Sequence, residues 1–210
     1  MNNEIVIIGT GGHAKVIIDI VNIQGKYTVR GCISSTQEKS FCGIPIIGSD
    51  ESSRQIIDQY GVNKAFIAIG DNAKRKNLSE YYVKLGFELV TLIHPSAVVS
   101  NTAIIGDGVV LMPGVVINTH AKIMHGSIIN TNTSIDHDCI IESYVHIGPT
   151  SGLAGNVTVR EGTFLGIGST VIPKITIGSW CVSGAGSVIV SDVPDNVLLY
   201  GVPARIKQKD

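Results

Sequence analysis

The chain has little of several features that would indicate a common class of protein. Aromatic residues make up 5% of its 210 positions, and 16 basic against 17 acidic residues leave a net charge of −1 without any basic run. We therefore expect neither a general nucleic-acid surface nor an anionic-membrane surface. No apolar stretch is long enough to span a membrane, and the first residues enter a strand-like run without a charged export signal. The expected location is the cytoplasm.

Cysteines are also few, and none has the paired spacing of a redox or metal motif. The four are Cys32, Cys42, Cys139 and Cys181. Scattered cysteines of this kind are typical of a reducing compartment, where they act as small core residues. We expect no metal bound to them.

The chain does have a period of six residues between Ala97 and Asp192. This stretch divides into 16 blocks of six, and the third position is aliphatic in 15 of them, the exception being Ser183. The first position is small or β-branched almost throughout, and the fourth is often Gly, Asn or Asp. An α-helix cannot use this period, because its buried stripe needs spacings of three and four. Short strands with turn residues at the corners predict a parallel β-helix of hexapeptide repeats, three to a coil.

The residues before the repeat predict a separate α/β domain. Ile5–Ile8 is a short apolar run, and a glycine turn of the form G-x-G-x-x-A, Gly9–Ala14, follows it at once and leads into a helical pattern. Glycines at such a junction let a ligand approach the backbone, and the start of the helix suits a phosphate. A second buried strand ends in Gly70-Asp71-Asn72. Because ligands bind beyond the carboxyl ends of parallel strands, we expect both loops to share one crevice.

The predicted domains are residues 1–94 and 95–210, with His94-Pro95 ending the last strand of the first domain, Glu88–Ile93. An acidic residue that would hold an NAD-type ribose is not evident after the second strand, where Ser34-Ser35 stands instead.

Histidines are concentrated in the repeat, at positions whose side chains should face outward. Four of the chain's six lie between positions 120 and 146: His120, His125, His137 and His146. His137 stands out because it lies between Asp136 and Asp138, and a flanking carboxylate can hold one ring nitrogen while the other accepts a proton. A zinc site is the rival interpretation, since His120 and His125 have a spacing used by trimeric β-helix carbonic anhydrases. Two coils, or 36 residues, earlier, however, Lys84 and Leu89 stand where a third histidine is needed.

Together these motifs resemble the PglD/NeuD-like sugar acetyltransferases over essentially the whole chain. The matching segments are the hexapeptide repeat, the loop Gly9–Ala14, Ala68–Asn72, Leu92–Pro95, Ile135–Asp138 and the tail Gly201–Arg205. The resemblance implies a Rossmann-like N-terminal domain, a left-handed β-helix and a homotrimer that binds acetyl-CoA between neighbouring solenoids. It also implies N-acetylation of a nucleotide-activated amino sugar, a 4-amino-4,6-dideoxy sugar, for surface glycan biosynthesis.

The resemblance also implies roles for individual residues. His137 would be the general base and Asp138 its orienting carboxylate, although Glu is commoner in the family at the second position. Acetyl-CoA would contact His146, Gly155, Ile167 and Ala185. The nucleotide sugar would contact Gly11, Gly12, His13, Gly70 and Asn130.

Three points stay open from the sequence. UDP-sugar members of the family often carry an acidic pair where this chain has Ser34-Ser35, so GDP and dTDP sugars remain candidates alongside UDP sugars. O-acetylation of sialic acid or another sugar would use the same base. A non-catalytic solenoid that binds a nucleotide sugar is the alternative of another class, and it predicts nucleotide binding without coenzyme binding.

Overall fold

The computed structural model describes residues 3–207, and the chain divides into two units, residues 1–92 and 93–210. The predicted domain boundary, after His94, lies two residues further along the chain than this division.

The N-terminal unit is a parallel sheet connected by helices. Its elements are β1 Glu4–Ile8, α1 Gly12–Gln24, β2 Thr28–Ile33, β3 Ser40–Phe41, β4 Ile44–Gly48, a 3₁₀ turn Asp50–Ser52, α2 Ser53–Tyr60, β5 Lys64–Ile67, α3 Asn72–Lys84 and β6 Glu88–Leu89. The strand order is β3-β4-β2-β1-β5-β6, and every neighbouring pair is parallel except β3 and β4. β1 is central, and its residues Ile5–Ile8 are all buried, which explains why they form an uninterrupted apolar run.

The regular secondary structure of the solenoid is a series of short strands, nearly all two residues long and separated by turns. They are β7 Leu92–Ile93, β8 Val98–Val99, β9 Ile104–Ile105, β10 Val110–Leu111, β11 Val116–Ile117, β12 Lys122–Ile123, β13 Ile128–Ile129, β14 Ser134–Ile135, β15 Ile140–Ile141, β16 His146–Ile147, β17 Gly152–Leu153, β18 Thr158–Val159, β19 Phe164–Leu165, β20 Thr170–Val171, β21 Thr176–Ile177, β22 Val182–Ser183 and β23 Val188–Ile189. A final antiparallel pair, β24 Leu198–Gly201 and β25 Ala204–Lys207, closes the described chain.

Successive short strands belong in turn to three sheets, which we call faces 1, 2 and 3. Face 1 contains β8, β11, β14, β17, β20 and β23; face 2 contains β9, β12, β15, β18 and β21; face 3 contains β7, β10, β13, β16, β19, β22, β24 and β25. Residues 18 apart pair in parallel, as Val116 does with Ser134 and Ser134 with Gly152. Each coil is therefore three hexapeptides, and the predicted parallel β-helix is confirmed.

The inward column is buried along most of the solenoid, as the period of six requires. Ser183, the polar exception in that column, is buried as well, and its hydroxyl lies 2.9 Å from that of Ser169 and accepts the Gly166 N–H at 3.1 Å. Its hydrogen-bonding capacity is thus used inside the coil, which is the condition for burying a hydroxyl.

One predicted element is wrong. The single strand expected over residues 88–93 is two strands, because Glu88–Leu89 pairs with β5 whereas Leu92–Ile93 is assigned to face 3. A strand-like pattern does not reveal which sheet each half of it joins, since pairing depends on partners distant in sequence.

Candidate active site

His137 lies at the corner where the chain turns from β14 on face 1 to β15 on face 2. Its Nδ1 is 2.8 Å from Asp138 Oδ2, and both side chains are about half exposed, 48% and 50%. A carboxylate can only accept a hydrogen bond, so Nδ1 carries the hydrogen and Nε2 is the acceptor in the neutral ring. This hydrogen bond, helped by the charge of Asp136, raises the pKa of His137 above 6.5 despite some opposing desolvation. The pair therefore has the arrangement of a general base with an orienting carboxylate.

The conformation of Asp138 brings its side chain back to the histidine. Its φ is 58°, in the left-handed region that Asp and Asn tolerate better than most residues. His137 is held from the other side, because its backbone N–H donates to Asp136 Oδ1 at 2.8 Å. Of the two carboxylates that flank His137 in the sequence, Asp138 therefore binds the ring nitrogen and Asp136 binds the backbone N–H.

Gly155 lies beneath the His137 ring, one coil further along the chain. A Cβ added at position 155 would be 2.4 Å from His137 Nε2 and 2.5 Å from Cε1. Any larger residue would push the ring away, so the glycine is what permits this position of the imidazole. The structure thus brings together three of the predicted site residues, His137, Asp138 and Gly155.

A groove of about 340 Å³ lies on face 1 beside this corner. It is lined by Asn118, Ser134, Asp136, Gly152, Leu153, Ala154, Thr170 and Val171. Its floor is largely small side chains, and Asn118 Nδ2 donates to Asp136 Oδ1 at 3.0 Å. An extended ligand lying in this groove would pass the residues next to His137 and Gly155 in the chain.

Asn130 and His146 form a second cluster, on face 3. Asn130 Oδ1 accepts the Thr131 N–H at 2.8 Å, so its Nδ2 is the group facing His146 Nε2 at 3.2 Å. An amide nitrogen can only donate, so His146 Nε2 accepts and the ring hydrogen sits on Nδ1. The ring also packs edge-on against Phe164, with centroids 5.0 Å apart. The half-buried imidazole is thereby fixed in one orientation.

Ile167 and Ala185 lie at the corner between faces 3 and 1. Consecutive corner residues stack there, since the Gly168 N–H donates to the Pro149 carbonyl and the Gly186 N–H to the Ile167 carbonyl, each at 2.8 Å. The Ile167 side chain is 53% exposed. These two predicted coenzyme contacts are therefore on the Asn130 side of the solenoid, while Gly155 is at a different corner.

The solenoid of one chain thus carries the predicted residues in two separate places. His137 is at the corner between faces 1 and 2, whereas His146 projects from face 3, which is the face opposite that corner in a three-sided coil. The buried column of aliphatic side chains lies between them. A single copy of the chain does not bring the two histidines together.

In the N-terminal unit, the glycine loop leaves the start of α1 open. Gly11 is the residue before the helix and supplies no side-chain cap. Apart from the adjoining residues and the helix's own backbone, no atom lies within 4 Å of where a Cβ would stand at Gly11, Gly12 or Gly70. Gly9 is different, since its φ is 105° and a Cβ there would be 2.7 Å from Ile69 Cδ1. The first backbone N–H groups of α1 are thus available to an anion.

His13 in α1 and Arg75 in α3 each lie just after one of the two loops predicted to share a crevice. The Arg75 side chain is 1% exposed and donates to the carbonyls of Ile69 and Gly70 at 3.1 and 3.0 Å and to Asn72 Oδ1 at 2.8 Å. Burial, and then the Arg75 charge, lowers the pKa of His13 to about 4, so its ring is neutral near pH 7. Its Nε2 is buried without a hydrogen-bond partner among the described residues. Sequence reasoning missed Arg75, because an arginine within a helical pattern is ordinarily exposed.

A crevice opens at the carboxyl ends of β1, β2 and β5. It is lined by Ile8, Gly9, Ile33, Ser34, Ser35, Asp50, Ile69, Lys74 and Leu78. The hydroxyls of Thr10 and Ser34 are 2.9 Å apart and join the glycine loop to the end of β2. Asp50 and Lys74 are the charged residues of the lining. Neither was predicted to lie in the crevice, because the sequence does not reveal which strands are neighbours and therefore which connecting segments meet at this edge.

Over residues 3–207, no group of His, Cys, Asp and Glu side chains is arranged to hold a metal ion. Within the same range, no helix combines the length and apolar character needed to cross a membrane.

Comparison with known proteins covers both units. The family described as PglD N-terminal domain matches residues 4–82. Among curated proteins, UDP-N-acetylbacillosamine N-acetyltransferase of Bacillus subtilis is 40% identical over 118 residues, which cover 52% of this chain and 51% of that protein. The chain thus aligns with about half the length of this relative.

Solved structures match almost from end to end. A variant of perosamine N-acetyltransferase from Caulobacter crescentus, in complex with CoA and GDP-perosamine, is 45% identical, with a TM-score of 0.95 and coverage of 98% of this chain and 97% of that one. The acetyltransferase domain of PglB from Neisseria gonorrhoeae, in complex with acetyl coenzyme A, is 34% identical, with a TM-score of 0.91 and coverage of 99% and 100%. This chain belongs to the PglD/NeuD-like sugar acetyltransferases, which join an α/β N-terminal domain to a left-handed β-helix.

Proposed function

We propose that this protein transfers the acetyl group of acetyl-CoA to the amino group of a nucleotide-linked 4-amino-4,6-dideoxy sugar, for surface glycan biosynthesis. The observation that carries the proposal is the His137–Asp138 pair, half exposed at a solenoid corner with Nε2 over Gly155 and a groove alongside. Whole-chain similarity to enzymes solved with CoA, acetyl-CoA and GDP-perosamine supports the class of both substrates.

The chemistry proposed for His137 is direct transfer without an acyl-enzyme. The sugar amine attacks the thioester carbonyl carbon, and His137 Nε2 takes the proton that the nitrogen loses as the carbon–nitrogen bond forms. The tetrahedral intermediate then breaks its carbon–sulfur bond, and the same proton passes to the leaving sulfur. The products are the N-acetylated nucleotide sugar and CoA. Holding both substrates in line supplies much of the rate.

The remaining predicted residues are proposed to bind the two substrates. His146, Gly155, Ile167 and Ala185 would contact acetyl-CoA. Gly11, Gly12, His13 and Gly70 would contact the nucleotide, with the diphosphate at the open start of α1, and Asn130 would lie near the sugar. Because His13 stays neutral near pH 7, it would act on the nucleotide as a hydrogen-bonding group without charge.

We propose a homotrimer as the active form. His137 and His146 lie on opposite sides of one solenoid, so both can serve one acetyl-CoA only if a corner of one copy faces face 3 of another. A stoichiometry of three by light scattering, lost together with activity in interface variants, is the expected result.

The function is tested with a panel of acceptors, using release of the CoA thiol as the readout. A GDP- or UDP-linked 4-amino-4,6-dideoxy sugar should be acetylated, whereas free sialic acid should not. If sialic acid is the only acceptor that is acetylated, the protein is an O-acetyltransferase and the proposed N-acetylation is wrong. Nucleotide binding without any coenzyme binding would make the protein a non-catalytic solenoid.

A further inference from the structure

A carboxylate in the N-terminal crevice is held in place by a buried tyrosine. The Tyr82 hydroxyl donates to Asp50 Oδ1 at 2.7 Å, and the Ser53 hydroxyl lies 2.7 Å from the same tyrosine oxygen. The Tyr82 side chain is 0% exposed, and burial raises its pKa, so it stays a donor at all ordinary pH values. On the neighbouring residue, the Tyr81 hydroxyl donates to the Asp50 main-chain carbonyl at 2.9 Å. Asp50 is thus fixed at both its side chain and its backbone.

The position of Asp50 along the sheet edge indicates which part of a nucleotide it would meet. The diphosphate would lie at the start of α1, directly after the central strand β1. The next strand outward is β2, followed by Ser34, and beyond it lies β4, followed by Asp50. A nucleotide extending in this direction places its ribose near Ser34 and its base near Asp50. Two strand spacings, about 10 Å, separate β1 from β4, enough to accommodate a nucleoside.

A carboxylate at this position would distinguish bases by the hydrogen-bond donors that they present. The Asp50 carboxylate can only accept hydrogen bonds, and the Tyr82 hydroxyl occupies one of the carboxylate's roughly four acceptor positions. Guanine presents two adjacent donors, N1–H and the 2-amino group, which match two carboxylate oxygens in a charge-assisted pair. Uracil and thymine present one N–H between two carbonyl oxygens, and those oxygens would face the negative charge.

We propose that Asp50, positioned by Tyr82, is the base-reading residue of this protein and selects a guanine nucleotide. The inference rests on the proposed function only for nucleotide binding in the N-terminal unit, not for acetyl transfer. A carboxylate that instead held a ribose hydroxyl would serve GDP and UDP equally, and the experiment below separates these roles.

The test measures dissociation constants of the full chain for GDP, IDP, UDP and dTDP by isothermal titration calorimetry. IDP is the informative ligand, because its base differs from guanine only in lacking the 2-amino group. Losing one hydrogen bond to a charged partner should weaken binding about tenfold or more, and UDP and dTDP should bind no better than IDP. This comparison needs no variant and therefore cannot be undermined by misfolding.

Variants then assign the selectivity to the carboxylate. Asp50→Asn keeps an acceptor for Tyr82 but places an amide donor against guanine, so GDP affinity should fall about tenfold or more and the difference between GDP and IDP should disappear. Tyr82→Phe should reduce that difference as well. Asp58→Asn is the matched control, since it removes the same charge from an exposed position on α2 outside the crevice lining.

Equal affinity of the native chain for GDP and IDP, or for GDP and UDP, would overturn the proposal. So would an equal loss for all four nucleotides in Asp50→Asn, which is the signature of a ribose contact. A protein that binds none of the four nucleotides would overturn it too. Selective GDP binding in a protein that fails to transfer acetyl groups would leave the proposal standing while removing the acetyltransferase function.

Discussion

The two units of this protein build their sites in different ways. In the solenoid, contacts occur at a few fixed separations: equivalent positions of successive coils are 18 residues apart, as His137 and Gly155 are, because parallel pairing repeats once per coil. In the N-terminal unit, the crevice combines Gly9, Ser34, Asp50 and Lys74, whose separations follow no rule. A repeat therefore lets spatial neighbours be counted from the sequence, whereas a wound sheet brings residues together through its strand order.

Burial of polar groups shows the same contrast. In the solenoid, several hydroxyls at the first hexapeptide position donate to the carbonyl 15 residues further on, as Thr133 does to Gly148 and Thr163 to Gly178. In the N-terminal unit, by contrast, a buried polar group has a set of partners that is not repeated, as Arg75 has in the carbonyls of Ile69 and Gly70. Periodic burial needs only the right residue type at each repeat, while an isolated buried charge needs its own set of partners.

The largest expected effect tests whether the solenoid corner is the reacting centre. His137→Ala should lower kcat by about 10²–10⁴-fold with acetyl-CoA binding retained, because the general base is lost. Steady-state kinetics and calorimetry measure the two properties. The control is His125→Ala, another exposed histidine, whose Nδ1 is 3.7 Å from Asp107. Unchanged turnover in His137→Ala would remove the proposed mechanism.

The contact between His137 and Gly155, which are 18 residues apart, is tested directly by a substitution at Gly155. In Gly155→Ala, the new methyl group must displace the His137 ring, so kcat should fall by roughly 10–100-fold, as expected for a misplaced catalytic group. Gly152→Ala is the comparison variant: its methyl group would enter the groove with an ordinary 3.6 Å contact and leave the His137 ring in place, so kcat should be retained whatever happens to KM. A rise in the acetyl-CoA KM at constant kcat would instead identify Gly155 as a coenzyme contact alone.

Removing the charge of Asp138 tests how much this carboxylate contributes to the basicity of His137 and to kcat. Asparagine also tolerates the left-handed backbone at this position, so Asp138→Asn should fold normally and lower kcat about tenfold. The neutral imidazole is the active form, so activity should rise with pH through the pKa of His137, which lies above 6.5 in the native protein. In the variant this acid limb should move to lower pH. A pH profile of kcat with an unmoved limb would contradict the role of Asp138.

A smaller effect is expected on face 3. His146→Ala should raise the acetyl-CoA KM about tenfold with little change in kcat, because it removes a binding contact rather than the base. His120→Ala, at an exposed corner position, is the comparison variant. An effect on kcat alone would mean that His146 takes part in the chemistry.

The last prediction concerns stability rather than activity, at His13 in the N-terminal unit. With its pKa near 4 in the folded state and 6.5 in the unfolded chain, only the unfolded chain gains a proton as the pH falls between these values. The contribution of His13 should therefore lower the free energy of unfolding by about 2 kcal/mol on going from pH 7 to pH 4.5. His13→Gln should show less of this decrease in urea titrations at both pH values, and His120→Gln should match the native chain. Identical pH dependence of native and His13→Gln would contradict the burial of a neutral ring.

Local patterns in the sequence determined the repeat, the coil length, the glycine turn before α1 and the His137–Asp138 pair, because each depends on residues close in the chain or on an exact period. Only the tertiary structure decided that His137 and His146 lie on opposite sides of one solenoid, that the strand expected over residues 88–93 divides between two sheets, and that Asp50 and Arg75 line or brace the crevice. Those facts depend on which strands pair and on where a side chain finds its partners, and such long-range choices leave no periodic trace in the sequence.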